Sequence, residues 1–248
     1  MAEGQNPAVE LRALATIDEF DQAVKLQKEI WGFDDIELLP RRLFVVANKI
    51  GGQTFGAYDG DRMVAFLLAI PGLKKDFGYL HSHMLGVLAG YRDRGIGRML
   101  KLKQREDALA RGIQLVEWTF DPLELRNAYF NIEKLGAVVR RYVLNQYGMT
   151  SSHLHTGLPT DRCVAEWWLD HPRVHAVLQG NNPDRERAIA RICVPANIAE
   201  LRRKDVQHAR AIQESVSNQF LEHFRAGLAV VGMERSSETA AYLLGPWQ

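Results

Sequence analysis

The chain has 248 residues, of which 46% are hydrophobic and 25% charged, and its formal net charge is +1. This composition is typical of a globular protein whose core forms without disulfides or metal ions. Because the net charge is close to zero, nothing draws the whole chain to nucleic acid or to an anionic membrane, and we expect neither partner.

Sequence signals for membranes or secretion are also missing. The longest strongly apolar run, residues 63–70, is far shorter than the ~20 residues that a membrane-spanning helix needs. The N-terminus has no basic stretch followed by an apolar one, as a secretory signal would. Cys163 and Cys193 form no CxxC pair, so we expect two buried, inert thiols and no metal site. The expected location is the cytoplasm.

The predicted elements alternate between strands and helices. A strand over residues 11–14 leads to a helix that Thr16 and Glu19 open as a capping box, and Asp59-Gly60 joins two strands into a hairpin. The elements that follow the first helix are strand 52–58, strand 62–70 ended by Pro71-Gly72, strand 79–88, helix 95–111, strand 113–120, helix 126–135, strand 137–147 and strand 163–169. This order predicts an α/β layered domain.

Two segments follow less regular patterns. Residues 148–162 form a polar loop with His153 and His155, and its length suggests a lid or a binding loop. Beyond a linker at 179–187, we predict strand 190–194, helix 205–226 and a hairpin over 227–244. This C-terminal part, 171–248, either extends the sheet, covers a cleft or forms a homodimer contact, and the sequence leaves these alternatives open.

The strongest local feature is the turn Arg92-Asp93-Arg94-Gly95-Ile96-Gly97, which lies between a strand and a long helix. Unpaired N–H groups at a helix N-terminus bind anions, and glycines let the backbone approach a phosphate closely. Arg98 adds a third positive side chain to the turn. The chain has neither GxxxxGK[ST] nor a third glycine for GxGxxG, so the common nucleotide-binding loops fit less well.

Together with a second string, this turn resembles the GNAT N-acetyltransferase superfamily. The Arg-x-x-Gly-x-Gly pattern after Leu85-Gly86-Val87 resembles its motif A, and Asn127-Ala128 followed by Glu133-Lys134-Leu135-Gly136 resembles its second motif. The resemblance covers roughly residues 8–170. It implies a GNAT fold, with a central mixed, mostly antiparallel sheet flanked by helices, here followed by a strand-helix-hairpin extension. Trp31-Gly32 and Trp118–Pro122 resemble a branch that includes amino-acid N-succinyltransferases.

The resemblance implies acyl transfer from coenzyme A, with acetyl-CoA or succinyl-CoA as donor, to a small amine. It places the pyrophosphate on the amides of Arg92 to Arg98 and the pantetheine arm along Leu85, Gly86 and Val87. A β-bulge near Gly86 is expected to open this strand away from the next one and so admit the thioester, with an oxyanion contact near Val87. Asn127 is a candidate for a further pantetheine contact.

The amine must lose a proton, so we expect a general base. His81 lies six residues before Val87, where some members of the superfamily carry a glutamate base, and histidine titrates near neutrality. Strand alternation predicts that His81 and His83 share a face with Leu85 and Val87. Besides His81, the candidates are His83 and Glu117, with Asp121 as a further carboxylate.

One departure concerns the general acid. Many members carry a tyrosine just before "EKLG", whereas this chain has Ile132. Tyr129 and Tyr142 are possible replacements, and a thiolate with a pKa near ~8.5 leaves without an acid. Trp31, His153 and His155 are candidates for contacts to the acceptor. Besides a small-molecule acyltransferase, the sequence leaves open a non-catalytic acyl-CoA sensor and a peptide or protein N-acetyltransferase.

Overall fold

The computed structural model describes residues 9–148, 157–182 and 184–247. The chain divides into two compact units, of which the first runs to Gln114 and the second begins at Leu115. The boundary predicted from the motifs lies instead after residue 170. The assignment of residues 8–170 to one acyltransferase core therefore stays a prediction.

The N-terminal unit has a four-stranded antiparallel sheet in the order β1-β2-β3-β4 within its described residues. The predicted capping box is present, since Glu19 N–H donates to Thr16 Oγ1 at 3.3 Å and Thr16 N–H donates to Glu19 Oε2 at 2.9 Å. The elements are β1 (Glu10–Ala13), α1 (Ile17–Trp31), α2 (Arg41–Lys49), β2 (Gln53–Asp59), β3 (Arg62–Lys74), β4 (Phe77–Val87) and α3 (Ile96–Ala110).

Helices α1 and α3 cover opposite faces of this sheet. A Cβ placed on Gly97 of α3 would stand 3.6 Å from Leu85 and 3.9 Å from Val87, so these two side chains face α3. A Cβ on Gly86 would stand 2.7 Å from the Trp31 ring of α1, so Gly86 faces α1. The residues of β4 therefore face either α1 or α3, and the two sides are called the α1 face and the α3 face below.

Two N-terminal predictions need correction. Helix α2 was not predicted, because its nine residues are mostly polar or exposed and only Phe44 and Ala47 are buried. Strand β3 does not end at Pro71 but continues to Lys74. Pairing with β2 ends at Ala69, so β3 is an edge strand on that side at Pro71, where proline is tolerated.

The C-terminal unit has strands in the order β5-β7-β6-β9-β10-β8, all paired antiparallel among its described residues. Strand β9 pairs with β6, so the segment after residue 171 extends the sheet of this unit. The elements are β5 (Leu115–Phe120), α4 (Leu125–Tyr129), a π-helical turn (Phe130–Lys134), β6 (Val138–Val143), β7 (Arg162–Trp168), α5 (Pro172–Leu178), β8 (Ala190–Pro195), α6 (Ile198–Lys204), α7 (Val206–Arg225), β9 (Leu228–Arg235) and β10 (Thr239–Pro246).

Helix α7 covers one face of the C-terminal sheet. The Phe220 ring lies 5.2 Å from Tyr142 and 5.0 Å from Tyr242, measured between ring centroids.

Cys163 is buried as predicted, and burial raises the pKa of its thiol. Cys193 is exposed, which corrects the prediction of a buried thiol. No helix in the described part of the chain is both long enough and apolar enough to cross a membrane.

Candidate active site

The glycine turn leads into α3 through a backbone that glycine favours. Gly95 immediately precedes the helix with φ 77°, and Asp93 also has a positive φ of 65°. The first helical hydrogen bond runs from Met99 N–H to Gly95 O at 3.0 Å. The N–H groups of residues 96–98 therefore come before the first hydrogen bond of the helix. Their position suits an anion at the helix N-terminus.

Two arginines contribute positive charge to this turn. Arg92 and Arg94 are exposed, and neither forms an ion pair with any residue that the structure describes. Arg92 Nε donates to Val87 O at 3.2 Å, and the Arg94 guanidinium lies 5.0 Å from the centre of the Tyr91 ring. Both charges remain available for phosphate groups, so the turn fits the pyrophosphate of coenzyme A.

Strand β4 contains a bulge at His83. Leu68 pairs with Met84 and Ala69 pairs with Ser82, so that His83 is the extra residue on β4. Gly86 pairs regularly with Phe66 of β3, and the bulge predicted at Gly86, on the side of the next strand, stays a prediction. An extra residue shifts the alternation of side chains by one position beyond it.

The bulge places the histidines on the opposite face from the one predicted. Residues opposite each other in a pair share a face, so Ser82 lies on the α3 face with Leu85 and Val87. His81, its neighbour, lies on the α1 face, and the His83 ring lies 6.0 Å from the His81 ring. Uninterrupted alternation from residue 81 to 87 would have put both histidines under α3. They belong instead to the face on which Trp31 packs.

The two histidines differ in their surroundings. His81 is half-buried, and it makes further contacts within the protein. His83 keeps an exposed surface, yet the protein around it disfavours the charged ring and so lowers its pKa. A lowered pKa keeps more of the His83 imidazole neutral, and therefore able to accept a proton, at neutral pH.

Trp31 forms an aromatic layer above β4. It ends α1, is half-buried, and lies 5.7 Å from Phe33 and 5.9 Å from Phe66 between ring centroids. The 2.7 Å approach described above explains why residue 86 has no side chain. The indole and the two histidines thus share one face of β4, while a contact between Trp31 and an acceptor stays a prediction.

A buried polar network on the α3 face was missed by the sequence analysis. Lys101 is 3% exposed, and its Nζ donates to Ser82 Oγ at 2.8 Å and to Gln104 Oε1 at 3.0 Å. Gln104 Nε2 donates in turn to Gln53 Oε1 at 2.9 Å. The signal was present in the sequence, because Lys101 and Gln104 lie beside the apolar residues on the inward face of α3. The network ties α3 to the strand segment that carries the bulge.

Burial lowers the pKa of Lys101 well below its usual value of 10.5. Between the folded pKa and that of the unfolded chain, the unfolded state binds more protons, so stability rises with pH across this window. We expect the stability of the wild type, relative to Lys101→Met, to increase between pH 7.5 and pH 9.5 by as much as about 1.4 kcal/mol per pH unit. Urea unfolding at both pH values measures this difference. The same pH dependence in both proteins would show that the amine is charged in the fold.

Glu117 belongs to the C-terminal unit and lies in a buried ion-pair network. It is 3% exposed, pairs across the sheet with Glu166, and accepts a bond from Arg141 Nη2 at 2.5 Å. Because the register of β6 shifts at Arg140, the side chains of Arg140 and Arg141 both form ion pairs with Glu166. The catalytic role of Glu117 stays a prediction, and our proposal does not use it.

The other C-terminal candidates are placed as follows. Asn127 is exposed on α4, while Ile132 is fully buried in the π-helical turn. Tyr142 is buried, and burial is the main reason why its pKa is raised. Its hydroxyl donates to Asp161 Oδ2 at 3.1 Å. Because Tyr142 packs in the core, it is a poor candidate for a general acid. Tyr129 lies near two cations that are considered below.

Some predictions fall outside the described residues or concern metals. His153 and His155 lie in the segment 149–156, which is not part of the described structure. Within the described ranges, no group of three or more His, Cys, Asp or Glu side chains is arranged to hold a metal ion. Contacts of these two histidines with an acceptor stay a prediction.

Comparison with known proteins agrees with this geometry. The model of the acetyltransferase (GNAT) family matches residues 18–136. No curated protein sequence matches the chain at a significant level. The fold is similar to the ribosomal-protein-S18-alanine N-acetyltransferase of Escherichia coli, with a TM-score of 0.52 and 16% identity over 66% of this chain and 95% of that one.

Two further solved structures share the fold. Arabidopsis thaliana NAA60, in complex with a bisubstrate analogue, has a TM-score of 0.54 and 14% identity, over 65% of this chain and 98% of its own. YncA of Salmonella typhimurium, solved with acetyl-CoA, has a TM-score of 0.53 and 12% identity, over 66% of this chain and 96% of its own. At these identities the similarity establishes the fold and not the substrate.

The fold and the glycine turn define the class of this protein, which is that of the N-acetyltransferase enzymes. Residues 18–136 match the family model, so this part of the chain is a GNAT acetyltransferase domain.

Proposed function

We propose that this protein is an acyl-CoA-dependent N-acyltransferase that moves an acetyl or succinyl group to the amine of a small molecule such as an amino acid. The observation that carries the proposal is the glycine turn at the start of α3, the next helix after the strand that carries His81 and His83. The amides of the first turn of α3, together with Arg92 and Arg94, suit the pyrophosphate of the donor.

The chemistry follows from the residues of β4. The thioester supplies the acyl group and a thiolate leaving group. His81, on the α1 face, accepts the proton of the incoming amine directly or through one water. A backbone N–H near Val87 stabilises the negative charge that develops on the thioester oxygen. With Ile132 at the usual acid position, the thiolate departs without a dedicated proton donor.

Two alternatives remain as outcomes of the test. The buried Ile132 is the observation that favours an acyl-CoA sensor without turnover. An acceptor on a peptide or protein is favoured by relatives, since the Escherichia coli enzyme is named for an alanine of ribosomal protein S18. The amino-acid acceptor and the succinyl donor are suggested by the sequence resemblance to the N-succinyltransferase branch.

The test is thiol release by the purified protein with acetyl-CoA and succinyl-CoA, each against a panel of amino acids, other small amines and a short peptide. Release with a small amine supports the proposal, and release with the peptide alone would replace it by peptide N-acylation. Binding of both donors without release on any acceptor would identify a sensor. Calorimetric titration with coenzyme A gives the binding measurement.

The cradle itself is tested by Gly95→Val. Valine tolerates a φ of 77° poorly, at roughly 1–3 kcal/mol of strain, so the turn should change shape and coenzyme A should bind about tenfold more weakly or worse. Gly112→Val is the matched control, because Gly112 has φ 74°, is equally unobstructed, and lies at the other end of α3. We expect the control to lose stability but to keep its affinity for coenzyme A. Equal affinities in the two variants would contradict the assigned cradle.

A further inference from the structure

The C-terminal unit contains a polar pocket that none of the acyl-transfer residues line. Its volume is about 750 Å³, within the range of roughly 300–1,000 Å³ that is usual for small-molecule sites. It lies over the face of β8, β10 and β9 that is turned away from α7. Tyr242 packs on Phe220 of α7, so its neighbour Ala241 points to the other face and forms part of the pocket floor.

The strand register builds the floor of this pocket. Ala241 on the central strand pairs with Cys193 of β8 and with Glu234 of β9, so that these three residues share a face. Arg191 and Thr239, each two residues before a floor residue, lie on the same face. The Arg191 guanidinium forms an ion pair with Glu234. The floor as a whole is therefore polar and close to neutral in charge.

The wall and rim carry an excess of positive charge. Arg185 is neutralised by Glu133 at 2.8 Å and also donates to Met233 O at 3.1 Å. Arg235 lies 5.3 Å and Lys134 5.7 Å from the centre of the Tyr129 ring, which lines the pocket. Neither of these two cations forms an ion pair with any described residue.

The charges around the pocket add to about two positive units. Four cations, at residues 134, 185, 191 and 235, face two carboxylates, at 133 and 234, and both carboxylates are already paired. Lys134, Arg235 and Arg191 are solvent-accessible, so a ligand can reach them. A guanidinium favours a carboxylate or phosphate, with which it forms two parallel hydrogen bonds.

We propose that this pocket binds a small organic dianion, a dicarboxylate or a phosphomonoester, with Arg235 of its lining as the principal cationic contact and Lys134, beside the Tyr129 wall, as the second cation. The Tyr129 ring forms one wall for the ligand, and the Thr239 hydroxyl on the floor is a further polar contact. The pocket is a second ligand site, built from residues other than those of the coenzyme A cradle.

Calorimetric titration of the full-length protein with succinate and with glycerol 3-phosphate tests the proposal. We expect at least one of them to bind with a dissociation constant of about 1 mM or lower, while the neutral analogues succinamide and glycerol do not bind. The preferred probe distinguishes a dicarboxylate site from a phosphate site. Binding should weaken as the salt concentration rises, because two of the contacts are exposed charges. Absence of saturable binding by either dianion overturns the proposal.

Three variants locate the site. Arg235→Gln and Lys134→Met should each weaken binding by about tenfold, whereas Arg203→Gln, an exposed arginine of α6 outside the pocket, should leave it unchanged. Gly95→Val must retain binding of the dianion, since a loss there would assign the anion to the coenzyme A cradle and overturn the proposal. The wild type and the variants are compared by their unfolding midpoints, and equal midpoints exclude a folding defect. This outcome is independent of whether the protein transfers acyl groups.

Discussion

Replacing His81 with alanine is expected to lower the rate of acyl transfer by about 10²-fold or more, with little change in the affinity for the acyl donor. The amine is mostly protonated at neutral pH, and His81 is the base that we assign on the α1 face of β4. It is separate from the glycine turn, so donor binding should survive. The measurement is kcat for thiol release at saturating donor, with the acceptor identified in the amine panel.

His83→Ala is the matched control, since the two rings lie 6.0 Å apart on the same strand. If His81 is the base, the control retains far more activity than His81→Ala. The pH profile gives a second readout, because a base acts in its neutral form and the rate rises with pH through its pKa. Burial lowers the pKa of His83, so an acidic limb shifted below about 6.5 would point to His83 instead. Unchanged turnover in His81→Ala would remove that residue from the mechanism.

The second large effect concerns a buried ion pair of the C-terminal unit. Arg202 of α6 is 3% exposed and Asp121, after β5, is 8% exposed, and Nη2 of the arginine donates to Asp121 Oδ2 at 2.7 Å and to Oδ1 at 2.9 Å. Its Nη1 also donates to Glu124 at 3.0 Å. Arg202→Met removes the cation that donates to both carboxylates, while the Asp121 carboxylate stays buried. We expect the free energy of unfolding to fall by about 3–5 kcal/mol.

Urea unfolding of three variants checks this expectation. Arg203→Met, at the exposed neighbouring position, should change stability by no more than about 0.5 kcal/mol. The double variant Asp121→Asn with Arg202→Met should recover part of the loss, because the uncompensated carboxylate is removed. A loss below about 1 kcal/mol for Arg202→Met would mean that the pair is not desolvated.

This ion pair also explains one of the sequence candidates. Asp121 was considered as a carboxylate near the reaction centre, but it binds Arg202 and accepts the N–H of Leu123 at 2.8 Å. These bonds give the Asp121 carboxylate a structural role in the fold. Glu117 is held by Arg141 in the same manner. Both carboxylates belong to ion pairs that join segments distant in sequence.

Local patterns in the sequence predicted much of the fold correctly. The capping box at Thr16, the Asp59-Gly60 hairpin and the helix start at Gly95 were all found where expected. Each depends on residues within about four positions, so the physical cause lies in the local sequence. Helices α2, α5 and α6 were missed, because each has fewer than ten residues and two or three buried side chains.

The sequence by itself determined the glycine turn before α3, because such a turn is a local structure, and its two motifs predicted the GNAT domain. Only the tertiary structure decided which face of β4 carries the histidines. That choice depends on one extra residue, His83, in the pairing with β3, and a shift of one residue reverses the face of the side chains before it. The tertiary structure likewise decided the partners of Glu117 and Asp121 and the polar pocket over β8, β10 and β9. They join residues tens of positions apart, and no short sequence pattern records such contacts.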